Sequence, residues 1–378
     1  MKQVVQRSNF RVYLNKSQIS LFDRTVGCAR FVWNNRVNSF NTKEKTRDKT
    51  IKELKVEFPF LAEVPYNALE QCLQNWNQTK KQFFSKTRKT KLGRPKFKSK
   101  KQSEQSFTVS YNGFSLKKEC LSISKFGKIK VTGLEKLLSL SNVSTLTLTR
   151  KASGKYFISV VHKAFKKQKE KTGKSIGIDL GLTHFLIDNQ NNKVENPRFY
   201  RKSEAKLKTL QRALSKKEKN SSRYLKCKKK IAILHEKIAN QRNYFLIEVA
   251  NYYINSFDFI YTEDLSVKNM VKNRKLSKSI SDASWSKFLC ILEYKAEWYG
   301  KSIYKINRFF ASSKTCSECG YQLAKLDLSI REWICPDCET VHDRDINAAQ
   351  NILKRGIFEK SVEMSSCKTY LKKSDTEN

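Results

Sequence analysis

The sequence contains no run of eighteen apolar residues, so no segment of it can cross a membrane as a helix. Its first residues, Met-Lys-Gln-Val-Val-Gln-Arg, lead into mixed polar residues instead of the apolar core of a signal peptide. No internal repeat is visible, and 378 residues are enough for two or three cores. These features favour a cytoplasmic protein with several domains.

Acidic residues are few: 35 Asp and Glu stand against 76 Lys and Arg, which gives a formal net charge of +41. An excess this large repels itself unless a polyanion neutralises it, and it exceeds what solubility requires. We therefore expect DNA or RNA as the partner. Residues 80–101 hold eleven basic residues and no acid, which predicts a loop or arm that follows phosphates. Residues 201–230 hold thirteen basic residues and two acids, which predicts one wall of a nucleic-acid channel.

The ten cysteines fall into two groups. Six are scattered and are expected to be free thiols in a reducing cytoplasm: Cys28, Cys72, Cys120, Cys227, Cys290 and Cys367. The other four form two Cys-x2-Cys pairs with fifteen residues between the pairs: Cys316, Cys319, Cys335 and Cys338. Two such pairs on hairpin turns bring four thiolates to tetrahedral positions around a metal ion and leave no open position. We predict structural zinc. A redox pair would not need a second pair, and nearby His342 is not needed as a fifth ligand.

Three acids stand at the edges of apolar elements. Asp179 follows Gly-Ile in a strand of Ile and Leu, and Glu263 ends the apolar run from Ile260. A lone buried acid is costly without a metal or a partner. Cleavage of phosphodiesters by divalent ions needs several carboxylates that converge on one point, and carboxylates suit magnesium and manganese. With Asp345 as the third acid, the set predicts a magnesium or manganese site; ion pairs with nearby lysines are the structural alternative.

The last helix distinguishes between two candidate acids. Asp345 shares one face with Ala348, Ala349 and Ile352, at i, i+3, i+4 and i+7, so it lies on the buried small-residue side. Asp343 falls on the polar side and is expected to be an N-cap. We exclude Asp264, which alternates to the other side of the strand from Glu263, and Asp188, which lies near a turn.

The apolar periodicity predicts an α/β protein with additional β-barrel and helical parts. Strands are expected at 9–14 and at several places within 106–162, where short alternating segments with glycine turns suggest a small barrel. Helices are expected from Ser17, as an N-cap, and from about Pro65, both as an insertion into that barrel. After a linker at 171–174, the second core is expected to contain these elements: a strand from Ser175, a hairpin over 183–194, helices over 201–254 and 284–299, and strands at 257–262 and 302–306.

These residues resemble the TnpB (OrfB) family of insertion-sequence proteins, which are compact RNA-guided DNA nucleases similar to type V CRISPR effectors. The resemblance is strongest in the C-terminal two thirds, in these segments: Gly177-Ile-Asp-Leu-Gly-Leu182, Glu263-Asp-Leu265, Leu292-Glu-Tyr-Lys-Ala-Glu-Trp-Tyr-Gly300, Ser313-Lys-Thr-Cys316-Ser-Glu-Cys319-Gly320, Cys335-Pro-Asp-Cys338 and His342-Asp-Arg-Asp-Ile-Asn-Ala-Ala-Gln-Asn351. It is looser in the N-terminal third, at Ala29-Arg-Phe-Val-Trp-Asn34 and Gly93-Arg-Pro-Lys-Phe-Lys98.

The resemblance implies a RuvC-like nuclease domain of RNase H fold with an inserted four-cysteine zinc ribbon, behind a wedge-like barrel that carries a helical recognition domain. The implied divisions are 1–15 and 105–170 for the wedge, 16–104 for the recognition domain with its basic arm, 171–311 and 342–357 for the nuclease, 312–341 for the ribbon, and 358–378 for a polar tail. The family's catalytic acids would fall on Asp179, Glu263 and Asp345.

The implied function is RNA-guided cleavage of DNA by RuvC-type two-metal chemistry. The implied partners are a guide RNA from the element's own end and double-stranded target DNA, bound in a bacterial or archaeal cytoplasm at the nucleoid. Because all three acids are present, a repressor that binds without cutting is the less favoured interpretation. An accessory or strand-transferring transposase is less favoured still, since no paired-His and Tyr motif is present. The sequence leaves the target-adjacent motif, the guide boundaries, the cut positions and the oligomeric state open.

Overall fold

The protein is described from a computed structural model that covers residues 2–42, 49–85, 92–101, 104–117, 120–327 and 329–374, with side chains, apart from that of Lys117, up to residue 362. Residues 86–91 of the expected basic arm, and the side chain of Cys367, lie outside the described part. The chain divides into two compact units. The N-terminal unit comprises Gln3–Phe165 and Lys228–Ile233, and the C-terminal unit comprises Met1–Lys2, Lys166–Cys227 and Leu234–Asn378.

The N-terminal unit is a seven-stranded sheet with helices inserted after its first strand. Its elements are β1 (Lys2–Tyr13), α1 (Lys16–Thr42), α2 (Ile51–Glu57), a 3-10 helix (Pro59–Glu63), α3 (Tyr66–Phe84), β2 (Gln105–Ser110), a 3-10 helix (Tyr111–Gly113), β3 (Phe114–Lys117), β4 (Cys120–Ile123), β5 (Gly127–Val131), α4 (Leu134–Leu138), β6 (Val143–Arg150) and β7 (Tyr156–Lys166). The strand order is β2-β6-β7-β1-β5-β4-β3. One hydrophobic cluster joins the sheet to α1 and α3, where the Trp33 and Trp76 rings meet edge to face at 5.5 Å.

The start of α1 differs from the sequence prediction. Ser17 was the predicted N-cap, but the helix begins at Lys16, so Ser17 already lies in its first turn. Asn15 takes the capping role instead: its side-chain oxygen accepts a hydrogen bond from the backbone N–H of Gln18 at 2.8 Å. Asn and Ser cap helices about equally well, so residue preference alone could not identify the correct one.

In the described residues, the C-terminal unit contains a five-stranded sheet, a two-stranded hairpin and six helices. Its elements are β8 (Ser175–Asp179), β9 (His184–Asp188), β10 (Lys193–Glu195), α5 (Phe199–Ser215), α6 (Ser222–Ser256), β11 (Phe259–Glu263), α7 (Val267–Met270), α8 (Ser277–Ala283), α9 (Trp285–Tyr299), β12 (Ser302–Ile306), β13 (Glu332–Ile334), β14 (Val341–Asp343) and α10 (Arg344–Ser374). Residues Lys228–Ile233 of α6 belong with the N-terminal unit. The expected end of the nuclease domain at residue 357 falls inside α10.

The five-stranded sheet has mixed strand directions. Its order is β10-β9-β8-β11-β12, with β8, β11 and β12 parallel to one another. The strands β8, β9 and β10 follow one another in antiparallel pairs, which confirms the hairpin predicted over 183–194. Parallel pairing of β8 with β11 needs a long crossover, and α5 and α6 lie in that connection.

The two faces of this sheet are covered by different helices. Ile176 and Ile178 of β8 are fully buried in a cluster that includes Tyr253 of α6 and Phe288 of α9. Asp188 is also fully buried on this sheet, where it accepts a hydrogen bond from the Tyr253 hydroxyl at 3.0 Å. This carboxylate, which was excluded from the predicted site, therefore has a partner within the core of the fold. Within the described residues, no helix combines the length and the apolar character needed to cross a membrane.

The helix α10 lies against the opposite face at very short range. A Cβ atom at Gly177 would stand 2.3 Å from the backbone carbonyl oxygen of Ala349, and one at Gly356 would stand 2.2 Å from the ring of Tyr261. Ala348, Ala349 and Ile352 are buried, which confirms the helix face predicted from their spacing. The absence of a side chain at Gly177 therefore lets the backbone of α10 touch β8.

Replacing Gly177 by alanine tests this contact. Gly177→Ala is expected to lower the free energy of unfolding by roughly 1–3 kcal/mol, because the new methyl group meets backbone atoms that cannot rotate away. Thermal unfolding followed by circular dichroism measures the change. Gly93→Ala is the control, since no atom of the described residues lies within 4 Å of its Cβ position. Equal stability of the two variants would contradict the close packing.

Candidate active site and metal centre

Asp179 and Glu263 end two neighbouring parallel strands. The register of β8 and β11 pairs Ile178 with Thr262, so the next residue on each strand is one of these acids. Neighbouring strands lie about 4.8 Å apart, and residues at matching positions point to the same face. Both carboxyl groups therefore lie side by side at the carboxyl edge of the sheet, on the face that α10 covers. The carboxyl ends of parallel strands are a common location for binding sites in α/β proteins.

Asp345 reaches the same place from α10. It lies one helical turn before Ala349, the residue whose carbonyl oxygen touches Gly177, and Asp179 lies two residues beyond Gly177. One turn of helix advances about 5.4 Å and two strand residues about 6.6 Å, so both steps lead from the contact to the same end of the sheet. The three predicted acids, which are separated by 84 and 82 residues (263 − 179 and 345 − 263), are thus brought together by β8, β11 and α10.

The electrostatics of Asp179 reflect this arrangement. Burial is the main cause that raises its pKa, and the nearby charges of Glu263 and Asp345 raise it further, to about 8. Arg344 acts in the opposite direction but does not offset them. Burial also raises the pKa of Glu263, against a hydrogen bond from Ser312. Carboxylates gathered in this way are the ligands that hard divalent cations prefer.

Asp345 and Glu263 each have one neighbour that the sequence did not identify. The guanidinium of Arg331 lies 3.3 Å from the carboxylate of Asp345 and 3.4 Å from the hydroxyl of Thr183. The hydroxyl of Ser312 donates to Glu263 at 2.5 Å. Ser312 and Arg331 lie close to the four cysteines in the chain, where no periodicity or spacing relates them to acids elsewhere. No signal in a single sequence identifies them.

The acids excluded from the predicted site have other partners. Asp343 accepts hydrogen bonds from the backbone N–H groups of Asp345 at 2.9 Å and Ile346 at 3.1 Å, so it caps α10 as predicted. It also pairs with Lys193 at 2.8 Å, and these contacts lower its pKa against the effect of burial. Asp264 is paired with Arg308, whose Nε donates to it at 3.0 Å.

Four cysteines form the second centre. The Sγ atoms of Cys316, Cys319, Cys335 and Cys338 all lie within 4.8 Å of one another, which is close enough to hold one metal ion. Among the described residues no other group of three or more acids, cysteines or histidines meets this criterion, so the three carboxylates are spaced more widely. Four thiolates suit zinc in a closed, structural site.

His342 lies beside this centre. Its Nε2 atom is 3.0 Å from the sulfur of Cys316, and its ring packs on Trp333 with the centroids 4.7 Å apart. Burial lowers the pKa of His342, which favours the neutral ring. A neutral imidazole with its proton on Nε2 would donate to the sulfur of Cys316, as groups around metal ligands commonly do. The four cysteines form their group without it.

Loss of one thiolate tests the metal centre. Cys335→Ser is expected to reduce the bound zinc from about one ion per chain to nearly none, and to lower the yield of folded protein, because metal affinity contributes to folding. Elemental analysis of the purified protein measures the zinc. The control is Cys290→Ser, which changes an exposed free cysteine and should leave the zinc content intact. Full zinc occupancy in Cys335→Ser would contradict the assignment.

The raised pKa of Asp179 predicts a pH-dependent stability. A carboxyl whose pKa is raised by folding contributes stability below its unfolded pKa, and this contribution is lost as the pH rises through the folded value of about 8. In magnesium-free buffer, Asp179→Asn should therefore raise the unfolding temperature at about pH 8, with a smaller gain at about pH 5. Added magnesium should remove the gain at the higher pH. A gain that is independent of pH would contradict the prediction.

The fold and its two centres define a class of basic protein that joins a carboxylate site on a mixed sheet to a four-cysteine metal module. Three family models match the chain: "Cas12f1-like, TNB domain" at residues 285–352, "Probable transposase" of the OrfB IS605 group at 156–274, and "Helix-turn-helix domain" at 1–39. The last description differs from the structure, in which residues 2–39 form the strand β1 and most of α1.

Similar proteins extend this match over nearly the whole chain. A "Putative RNA-guided DNA endonuclease" from Streptomyces pristinaespiralis is 33% identical over 369 residues, which cover 94% of this chain and 90% of the relative. The "Putative RNA-guided DNA endonuclease InsQ" of Escherichia coli K12 is 27% identical and covers 88% of each chain. The fold resembles the protein in a cryo-EM structure of a Cas12f1–sgRNA–target DNA complex, with a TM-score of 0.51 at 14% identity, over 93% of this chain and 98% of that one. The chain belongs to the TnpB (OrfB) family, which is related to the type V effectors.

Proposed function

We propose that this protein is an RNA-guided DNA endonuclease of an insertion sequence, which hydrolyses phosphodiester bonds at Asp179, Glu263 and Asp345. The single observation that carries the proposal is the convergence of these acids at one edge of the sheet, where Glu263 and Asp345 raise the pKa of Asp179. The names of the similar proteins support the substrate and the RNA guide.

The C-terminal unit is proposed to be a RuvC-like nuclease. Support comes from its strand order, in which an antiparallel β10-β9-β8 meander continues into parallel β11 and β12, as in the RNase H fold. The four-cysteine segment at 312–341 is proposed as its zinc ribbon. In the N-terminal unit, the seven-stranded sheet is proposed as the wedge, and the helices within 16–104 as the recognition domain.

The three carboxylates fit magnesium or manganese. Carboxylates are the ligands that such hard cations prefer, and sites of this kind commonly hold two ions about 3.5–4 Å apart. When bound, such ions would activate a water molecule and stabilise the leaving oxygen. The protein contributes the fixed positions of the acids. Arg331, beside Asp345, would bind a phosphate oxygen of the strand being cut.

The guide RNA and the target DNA are proposed to bind along the basic surfaces. Residues 201–230 carry thirteen basic side chains on α5, α6 and their connection, and all of them except Lys217 are exposed. Exposed cations on a helix attract phosphates without reading sequence, which leaves target choice to base pairing. Zinc bound by the four cysteines would hold the ribbon in its folded form.

Alanine substitution of each acid tests the function. Protein purified with its own RNA is incubated with magnesium and a plasmid that carries a target matching that RNA. Asp179→Ala, Glu263→Ala and Asp345→Ala are each expected to reduce the cleavage rate at least about a thousandfold, because each removes a ligand of the reactive centre. RNA binding, measured by filter retention, should change less than about twofold.

The matched control is Asp264→Ala. Asp264 follows Glu263 directly but is paired with Arg308, so its loss should leave the cleavage rate within about threefold of wild type. Cleavage of DNA by Asp179→Ala at the wild-type rate would contradict the assignment of the three acids as the active site. Target binding without cleavage by the wild-type protein would favour an RNA-guided repressor over a nuclease.

A further inference from the structure

Ser312 connects the cysteine module, which is the four-cysteine segment at 312–341, to the carboxylate site. It lies between the end of β12 and Cys316 and is only 5% exposed. Its hydroxyl donates to Oε1 of Glu263 at 2.5 Å. A hydroxyl has one proton to donate, so this contact engages Oε1 of Glu263 and leaves Oε2 outside it.

Two buried asparagines of α10 hold Ser312 in place. The side-chain amide of Asn351 donates to the Ser312 carbonyl at 2.8 Å, and that of Asn347 donates to the same carbonyl at 3.4 Å. Both amides also donate to the carbonyl of Thr315, at 2.5 and 2.8 Å. Asn347 and Asn351 are 1% and 5% exposed, so these bonds form without competition from water.

The same asparagines also hold the backbone on either side of Cys316, the first of the four cysteines. The oxygen of the Asn347 side chain accepts a hydrogen bond from the backbone N–H of Ser317 at 2.8 Å. Thr315 and Ser317 flank Cys316, so α10 fixes the backbone on both sides of that thiolate. One helix therefore carries Asp345, anchors the start of the cysteine module and sets the position of the hydroxyl that contacts Glu263.

We propose that Ser312 is a positioning residue, which orients Glu263 for divalent-metal binding and is itself held by the clamp formed by Asn347 and Asn351. This inference rests on the proposed function. It differs from a role in folding alone, because a folding role would act on the cysteine module as well. Residues that orient metal ligands typically change metal affinity by about 10–100-fold when removed.

Manganese binding tests the proposal without relying on cleavage. The full-length protein with its copurified RNA is titrated with Mn2+, and free Mn2+ is measured by electron paramagnetic resonance. The Mn2+ binding measured with the Asp179→Ala complex is subtracted, because it comes from the RNA and from sites other than the three acids. Ser312→Ala is expected to raise the apparent dissociation constant of the remaining binding about tenfold. Its zinc content, measured by elemental analysis, should equal that of wild type.

A matched variant and a double variant separate positioning from folding. Ser313 is the half-buried neighbour of Ser312, and Ser313→Ala should bind Mn2+ as wild type does. In a Glu263→Gln background, Ser312→Ala should have no further effect, since its influence passes through Glu263. Asn351→Ala should weaken Mn2+ binding in the same direction as Ser312→Ala.

Each contrary result has a distinct meaning. Wild-type affinity in Ser312→Ala overturns this inference and leaves the nuclease site intact. Loss of zinc in Ser312→Ala, or an undiminished effect in the Glu263→Gln background, also overturns it, because Ser312 would then act on folding. If the wild-type complex binds no more Mn2+ than Asp179→Ala, the carboxylate site itself is refuted, and with it both proposals.

Discussion

The contact between the backbone of α10 and Gly177 is the constraint on which the carboxylate site depends. A side chain at this position would meet the carbonyl oxygen of Ala349 at 2.3 Å, so the helix could not approach the strand as it does. Asp345 is one turn from this contact and Asp179 two residues from it. The separation of their carboxyl groups is therefore set by backbone packing. Packed backbones deform little, which makes this a more rigid way to place two acids than long side chains would be.

Bringing the acids together destabilises the fold, and apolar packing on the other face of the sheet compensates for this. Burial and the two neighbouring acids raise the pKa of Asp179 to about 8, which measures how strongly this position resists a negative charge. Strongly perturbed carboxyls are concentrated at functional sites for this reason. On the opposite face, fully buried residues such as Phe185, Tyr253 and Phe288 form the apolar core that holds β8 and β11 in register. One face of the sheet thus holds the larger apolar cluster, while the other face carries the three acids.

The sequence predicted the features that depend on local spacing. The buried face of Ala348, Ala349 and Ile352, the cap at Asp343 and the cysteine group all follow from intervals of a few residues, and the structure bears them out. Pairing of strands far apart in sequence was beyond such arguments, and so were Ser312 and Arg331, whose partners lie 49 and 14 residues away. Ser17 failed as a cap for a different reason: Asn15 offered equivalent chemistry two residues earlier.

The place of the cysteine module in the chain explains its connection to the acids. It is inserted between β12 and α10, so both of its ends lie at the carboxyl edge of the sheet where Asp179 and Glu263 stand. Ser312, at one end of the module, donates a hydrogen bond to Glu263. Arg331, within the module, contacts the carboxylate of Asp345. Arg344, at the start of α10, closes the module by donating to the carbonyl of Asp327 at 2.7 Å. A module held this way, with a four-cysteine group of its own, contributes rigid side chains to the surroundings of the acids.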